Sequence, residues 1–219
     1  MTTNLRGLPQ SIGLPRALVG VLLMAALAAP AVRAQPSLPD LDPRNPTAFV
    51  ALAEPLLEGG GKGATLDALS ESFLRTRLGH AYTLLDRPQD AEREYELAWL
   101  VYQAARETFV CNDSAAAVLR YYQSQVTALP RAYALASEER RRVRSFPEFA
   151  AGFARTREVI LLELPAVVGR EGELDRVSVD VLARDFTPAG ETEQRFSGFW
   201  RVRQVGTTCA LEGAEIGEV

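Results

Sequence analysis

The sequence predicts an α+β protein, because apolar residues recur at helical spacing as far as Thr156 and alternate at the period of a strand beyond it. Helices followed by an antiparallel meander place the helices as a layer over one face of a curved sheet, giving a helical hairpin domain ahead of an α+β domain with a curved antiparallel sheet. A third observation limits where that fold begins: the first 34 residues have the build of an export signal.

Arg6 and Arg16 put positive charge ahead of an apolar stretch at residues 17–29, no acid precedes Ala34, and Val32 and Ala34 are the small residues before a cleavage point at Gln35. The apolar run is 13 residues long, whereas a spanning helix needs about 20, and Pro30 breaks it. Residues 1–34 are therefore expected to be removed, leaving a secreted or periplasmic protein without a stable membrane anchor. No Cys stands near the cleavage point to carry a lipid, and no Arg pair precedes the apolar core, which favours the general export route.

Cleavage changes the charge. The whole chain has 24 basic and 28 acidic residues; the signal holds three Arg and no acid, so 21 face 28 and the net charge moves from -4 to -7. So acidic a chain is unsuited to coating nucleic acid, which requires clustered cations. Lys62 is the only lysine.

Residues 35–46 are rich in Pro and Asp and read as a tail, followed by a helix at residues 47–57 and a glycine-rich run at residues 59–63. Lys62 in that run is followed by Gly63 where a phosphate loop needs Ser or Thr, and no strand precedes it, so residues 35–63 end in a linker. Within residues 64–110, Leu66, Leu69, Phe73, Leu74, Leu78, Tyr82 and Leu85 form one amphipathic helix. After a turn at Asp86-Arg87-Pro88, Ala91, Tyr95, Ala98, Tyr102 and Ala105 form its partner.

Residues 111–219 begin with Asn112-Asp113-Ser114, short polar side chains that cap a helix carrying Val118, Leu119, Tyr122, Val126 and Leu129, which Pro130 is expected to end. A second helix carries Ala132, Tyr133, Leu135 and Ala136, and a third starts near Phe146 with Phe149 and Phe153. Residues 159–164 are an apolar strand. Val177, Val179, Val181 and Ala183 alternate with Arg176, Ser178, Asp180 and Arg184 as a half-buried one. A turn at residues 187–190 leads to a long strand with Phe196, Gly198, Trp200 and Val202 on one face. A tight turn at Gly206-Thr207 leads to a last strand through Cys209, Leu211 and Ile216.

Cys111 and Cys209 both lie beyond the signal, in a protein bound for a compartment where disulfides persist. A bond between them is the expectation, with two separate buried thiols as the alternative; closing so long a loop stabilises by about 4 kcal/mol on the chain-entropy account. Neither sits in a CxxC, so redox exchange and zinc binding lack their spacing.

In the hairpin, Leu78-Gly79, Tyr82, Ala91, Tyr95 and Ala98 occupy small and aromatic packing positions, and the segment resembles a tetratricopeptide repeat. The resemblance implies a protein partner bound through the hairpin; a single repeat cannot bury its own apolar face, so either such a partner or the rest of the chain covers it. From residue 115 onward, Tyr121-Tyr122, residues 132–135, Ser145-Phe146, Phe149, Gly152-Phe153, Thr156 and residues 196–202 resemble in order and pattern the nuclear transport factor 2-like superfamily. That resemblance implies a cone whose helices and bent sheet enclose a pocket, in a superfamily that includes isomerases, dehydratases and domains that only bind. Cys209 stands where many relatives carry a Trp.

Superfamily enzymes that use a His with an Asp set a test that this chain fails: its one His, His80, lies in the hairpin and reads as structural or exposed. Multi-histidine metal sites and a Ser-His-Asp triad are excluded on the same ground. An isomerase of the ketosteroid type would need a carboxylate base and a donor such as Tyr. Glu163, Asp180, Tyr121 and Tyr122 are the candidates, although Asp180 should point away from the pocket. Arg140-Arg141-Arg142 with Arg144 is either an anion clamp or a helix end compensated by Glu138 and Glu139. Tyr122, Phe149, Phe153 and Trp200 either line a pocket for a small apolar ligand or are core. No catalytic residue, metal ligand or cofactor is assigned. The expectation is an exported, non-catalytic binding or interaction protein, with a small isomerase or dehydratase as the alternative.

Overall fold

The computed structural model describes residues 38–59 and 66–219; the segment expected to be an export signal, residues 1–34, and Lys62 lie outside the described residues. The described chain runs α1 (Pro46–Leu57), α2 (Ala68–Leu84), α3 (Pro88–Ala105), α4 (Ser114–Ser124), α5 (Leu129–Ala134), α6 (Glu138–Val143) and α7 (Phe146–Ala151). The strands β1 (Thr156–Leu161), β2 (Ala166–Glu171), β3 (Leu174–Thr187), β4 (Gly190–Val205) and β5 (Thr208–Glu218) follow. The fold is α+β, with helices first and a curved, open, antiparallel sheet after them.

Helix boundaries follow local chemistry. Asp67 accepts from Ser70 N–H at 2.7 Å and opens α2, while Asp113 accepts from Ala116 N–H at 2.7 Å and opens α4. The α2–α3 hairpin closes because Gly79 has no side chain: a Cβ there would lie 2.5 Å from the Tyr95 ring. Pro130 does not end a helix, as expected from the apolar spacing, but stands in the first turn of α5, and α4 stops earlier at Ser124. Proline is tolerated in a first turn because the N–H it lacks has no partner there. Strand β2 was not anticipated: all its residues are exposed, so it has no apolar alternation to read.

β1 and β2 both pair with β3, which pairs with β4, which pairs with β5. Along β3, Val177, Val179 and Val181 are buried, while Asp180 and Arg184 face outward in ion pairs with Arg195 and Glu193. β4 bends at Gly198, where φ is +154° and a Cβ would come 2.0 Å from Glu215 O, so only glycine allows β5 to approach. A disulfide joins Cys111, just before α4, to Cys209 of β5 with Cα atoms 5.7 Å apart. Beside it, Cys111 N–H donates to Thr207 O at 2.9 Å.

One core runs from Phe49 of α1 through Leu78 and Tyr95 to Trp200 and Leu211, so the hairpin and the sheet share their interior. α2 and α3 pack on α5 and α7. Glu107, after α3, accepts from Tyr102, Arg120 and Arg131 at 2.7–3.1 Å, tying the hairpin to α4 and α5. Among the described residues no helix is long and apolar enough to cross a membrane.

Candidate functional site

α4 lies against the inner face of the sheet, and between its C-terminal end and the strands is a cavity of about 230 Å³. Tyr122 comes from α4 and Gln125 from its C-cap, Phe153 from the turn after α7, and Val181 and Asp185 from β3. The lining contains one carboxylate, Asp185, and no Arg, Lys or His. Oδ1 of Asp185 is buried and has no hydrogen-bond partner among the described residues. Such an atom loses its hydration on folding and recovers nothing, which typically costs about 1–3 kcal/mol.

The backbone aims this carboxylate inward. Asp185 has the same parity on β3 as Val177, Val179 and Val181, and it pairs with Thr156 just where the β1–β3 register shifts at Arg157. Bulges of this kind re-aim neighbouring side chains. Thr156 lines the cavity next to it. Tyr122 is fixed from behind: Trp200 Nε1–H donates to Tyr122 Oη at 3.1 Å, and burial pushes the Tyr122 hydroxyl pKa well up from its ordinary value. The hydroxyl therefore stays protonated and can donate onward. Tyr121 packs edge-on to both Tyr122 and Trp200, at 5.2 and 4.9 Å between centroids.

Of the four aromatic residues proposed from the sequence, Tyr122 and Phe153 line the cavity. Trp200 supports Tyr122 from the core, and Phe149 packs in a cluster with Tyr133 and Phe153, both at a little over 5 Å between ring centroids. Glu163 is exposed and lines, with Ser178 and Asp180, a separate pocket of about 270 Å³, and Asp180 is on the outer face held by Arg195 at 2.5 Å. Neither reaches the cavity. Asp185 was missed, although continuing the alternation of residues 177–183 by one more step reaches it.

The arginine cluster is consumed locally. Arg142 pairs with Glu138 at 2.6 Å, Arg140 lies over the Trp200 ring at 5.1 Å, and Arg144 donates to Glu148 O at 3.0 Å. His80 is 5% exposed, and its Nε2 lies 3.2 Å from Ala150 O. A carbonyl accepts only, so Nε2 carries the proton. Burial lowers the His80 pKa to about 4, and the ring is neutral at pH 7.

His80 also lines a second, larger cavity of about 470 Å³ beside Arg44, Arg77 and Arg157. Its three Arg face three acids of the same lining, Asp40, Asp42 and Glu191: Arg77 lies 3.5 Å from Asp40, and Arg44 and Arg157 share Glu191. The smaller cavity, with its unmatched carboxylate, is the better candidate. Among the described residues no group of three His, Cys, Asp or Glu side chains could hold a metal ion. Compared with family models, curated proteins and solved structures, the chain matches none.

Proposed function

We propose that this is an exported binding protein that holds a small, largely apolar molecule between α4 and the inner face of the sheet. The observation that carries the reading is Oδ1 of Asp185, buried without a partner among the described residues in the wall of a mostly apolar and aromatic cavity. Ligand sites combine such a lining with a few convergent polar groups. Export is supported by the signal-like first 34 residues and by the Cys111–Cys209 disulfide, a bond that persists in oxidising compartments. Helices laid over a bent antiparallel sheet with a hollow between them support a nuclear transport factor 2-like reading of the second half. The hairpin is read as scaffold, since α5 and α7 occupy its apolar face.

Phenethyl alcohol is a neutral probe of suitable size. Titration calorimetry should give saturable binding to the protein, and Ala183→Phe, which fills the cavity, should abolish it while leaving the circular dichroism spectrum unchanged. Absence of saturable binding, or binding indifferent to that substitution, would overturn the reading. A second reading, proton transfer on the bound molecule, is favoured by one observation: Asp185 and Tyr122 line the same cavity, as a carboxylate base and a donor would. It predicts turnover of an enolisable ketone that Asp185→Asn abolishes, and no turnover would sink it.

A further inference from the structure

We infer that the ligand of this cavity carries a cationic nitrogen, seated against Asp185, on a compact apolar or aromatic body. The inference rests on the binding role proposed for the cavity and specifies the chemistry of what it binds. A neutral ligand could satisfy the hydrogen-bonding need of Oδ1 but brings no charge to the carboxylate; an ammonium supplies both N–H donors and the opposite charge. The protein itself does not supply that charge. Arg184, the adjacent residue, points to the outer face and is shared between Glu158 and Glu193 at 2.8 and 2.6 Å. Arg157, at the bulge opposite, is held by Glu191.

The rest of the lining suits a cation and disfavours an anion. Tyr122, Phe153 and Phe196 bring three aromatic rings to the cavity, and ring faces attract a desolvated ammonium. Thr156 and Gln125 offer neutral oxygens to N–H groups that Asp185 does not take. A carboxylate or phosphate would meet Asp185 with no cation in the lining to offset the repulsion. Size narrows the class further. A cavity of about 230 Å³ corresponds to roughly eight waters at ~30 Å³ each, so the body is about one ring with a short chain.

The test compares three ligands of one shape, phenethylamine, phenethyl alcohol and hydrocinnamate, by calorimetry on the purified protein at pH 7. The amine should bind at least about tenfold more tightly than the alcohol, as expected for a hydrogen bond to a charged group, and the acid most weakly. In Asp185→Asn the advantage of the amine should fall to within about twofold. In Asp180→Asn, which removes an equal charge from the outer face, it should persist, which separates the site from general attraction to an acidic protein. An amine that binds no better than the alcohol, or an advantage that survives Asp185→Asn, overturns the inference and leaves the binding role standing. If none of the three binds, the binding role itself fails.

Discussion

Asp180 and Asp185 lie five residues apart on one strand and differ in parity, and that difference decides their chemistry. Asp180 faces outward, where Arg195 on β4 meets it at 2.5 Å and holds its carboxyl below the usual carboxylate range. Asp185 faces inward, where its Oδ1 is buried without a partner. The outer face of the sheet is a ladder of Arg–carboxylate pairs in water, each worth little to stability. The inner face is mostly apolar core; of the β3 acids with its parity, Asp175 accepts from Ser114 Oγ at 2.7 Å, whereas Oδ1 of Asp185 has no partner among the described residues. An acid that costs stability where it stands is a candidate for function, and a sheet thus separates, within a single strand, a paired carboxylate from an unpaired one.

The largest expected effect concerns the clamp that holds α4 over the inner face. Replacing Cys111 and Cys209 together by Ser removes a cross-link spanning 98 residues of sequence, and the denaturation free energy should fall by about 4–5 kcal/mol. A denaturant titration of the oxidised protein and the double variant measures this. A loss below about 1 kcal/mol would mean that packing alone seats the helix.

Next is the hairpin's buried imidazole. His80 has a pKa of about 4 when folded and about 6.5 when unfolded, so between these values the unfolded chain binds the extra proton. Its contribution is full above pH 6.5 and is lost as pH falls toward 4, by roughly 3 kcal/mol. His80→Gln, whose amide can still donate to Ala150 O, should flatten this part of the stability profile. An unchanged slope between pH 7 and 4 would show that the ring is accessible to protons in the folded state.

The comparison of the two acids is sharpened by making the same change at both. Asp185→Leu removes the orphaned carboxylate and should stabilise the fold by about 1–3 kcal/mol, with loss of amine binding. Asp180→Leu removes an exposed pair and should leave the melting temperature close to that of the parent. Equal shifts at the two positions would erase the distinction between the faces. The smallest effect is expected for Tyr122→Phe. It leaves the buried Trp200 Nε1–H without its acceptor and should cost about 1–2 kcal/mol, read from the chemical denaturation midpoint.

Much of the architecture was legible in the residues. Alternation at residues 176–184, the turn residues at 187–190 and Gly206-Thr207, and the capping residues Asn112-Asp113-Ser114 led to elements close to those observed. Pro130 misled because its role depends on whether the preceding helix has already ended, and the spacing of Val126 and Leu129 continued a pattern that the backbone does not. β2 left no signal because neither of its faces is buried. Of the site, Tyr122 and Phe153 were found by type alone, whereas Phe149 and Trp200 are equally aromatic and equally buried but pack one layer away.

By itself the sequence determined the order of helices and strands, the parity of β3, the pairing available to two cysteines and the acidity of the chain, because each follows from local periodicity or composition. Only the tertiary structure decided that the hairpin packs on α5 and α7, that the arginine cluster is engaged by nearby groups, and that Oδ1 of Asp185 is buried without a partner among the described residues. Whether a charge is paired depends on which residues meet across elements distant in the chain, and that is settled by packing.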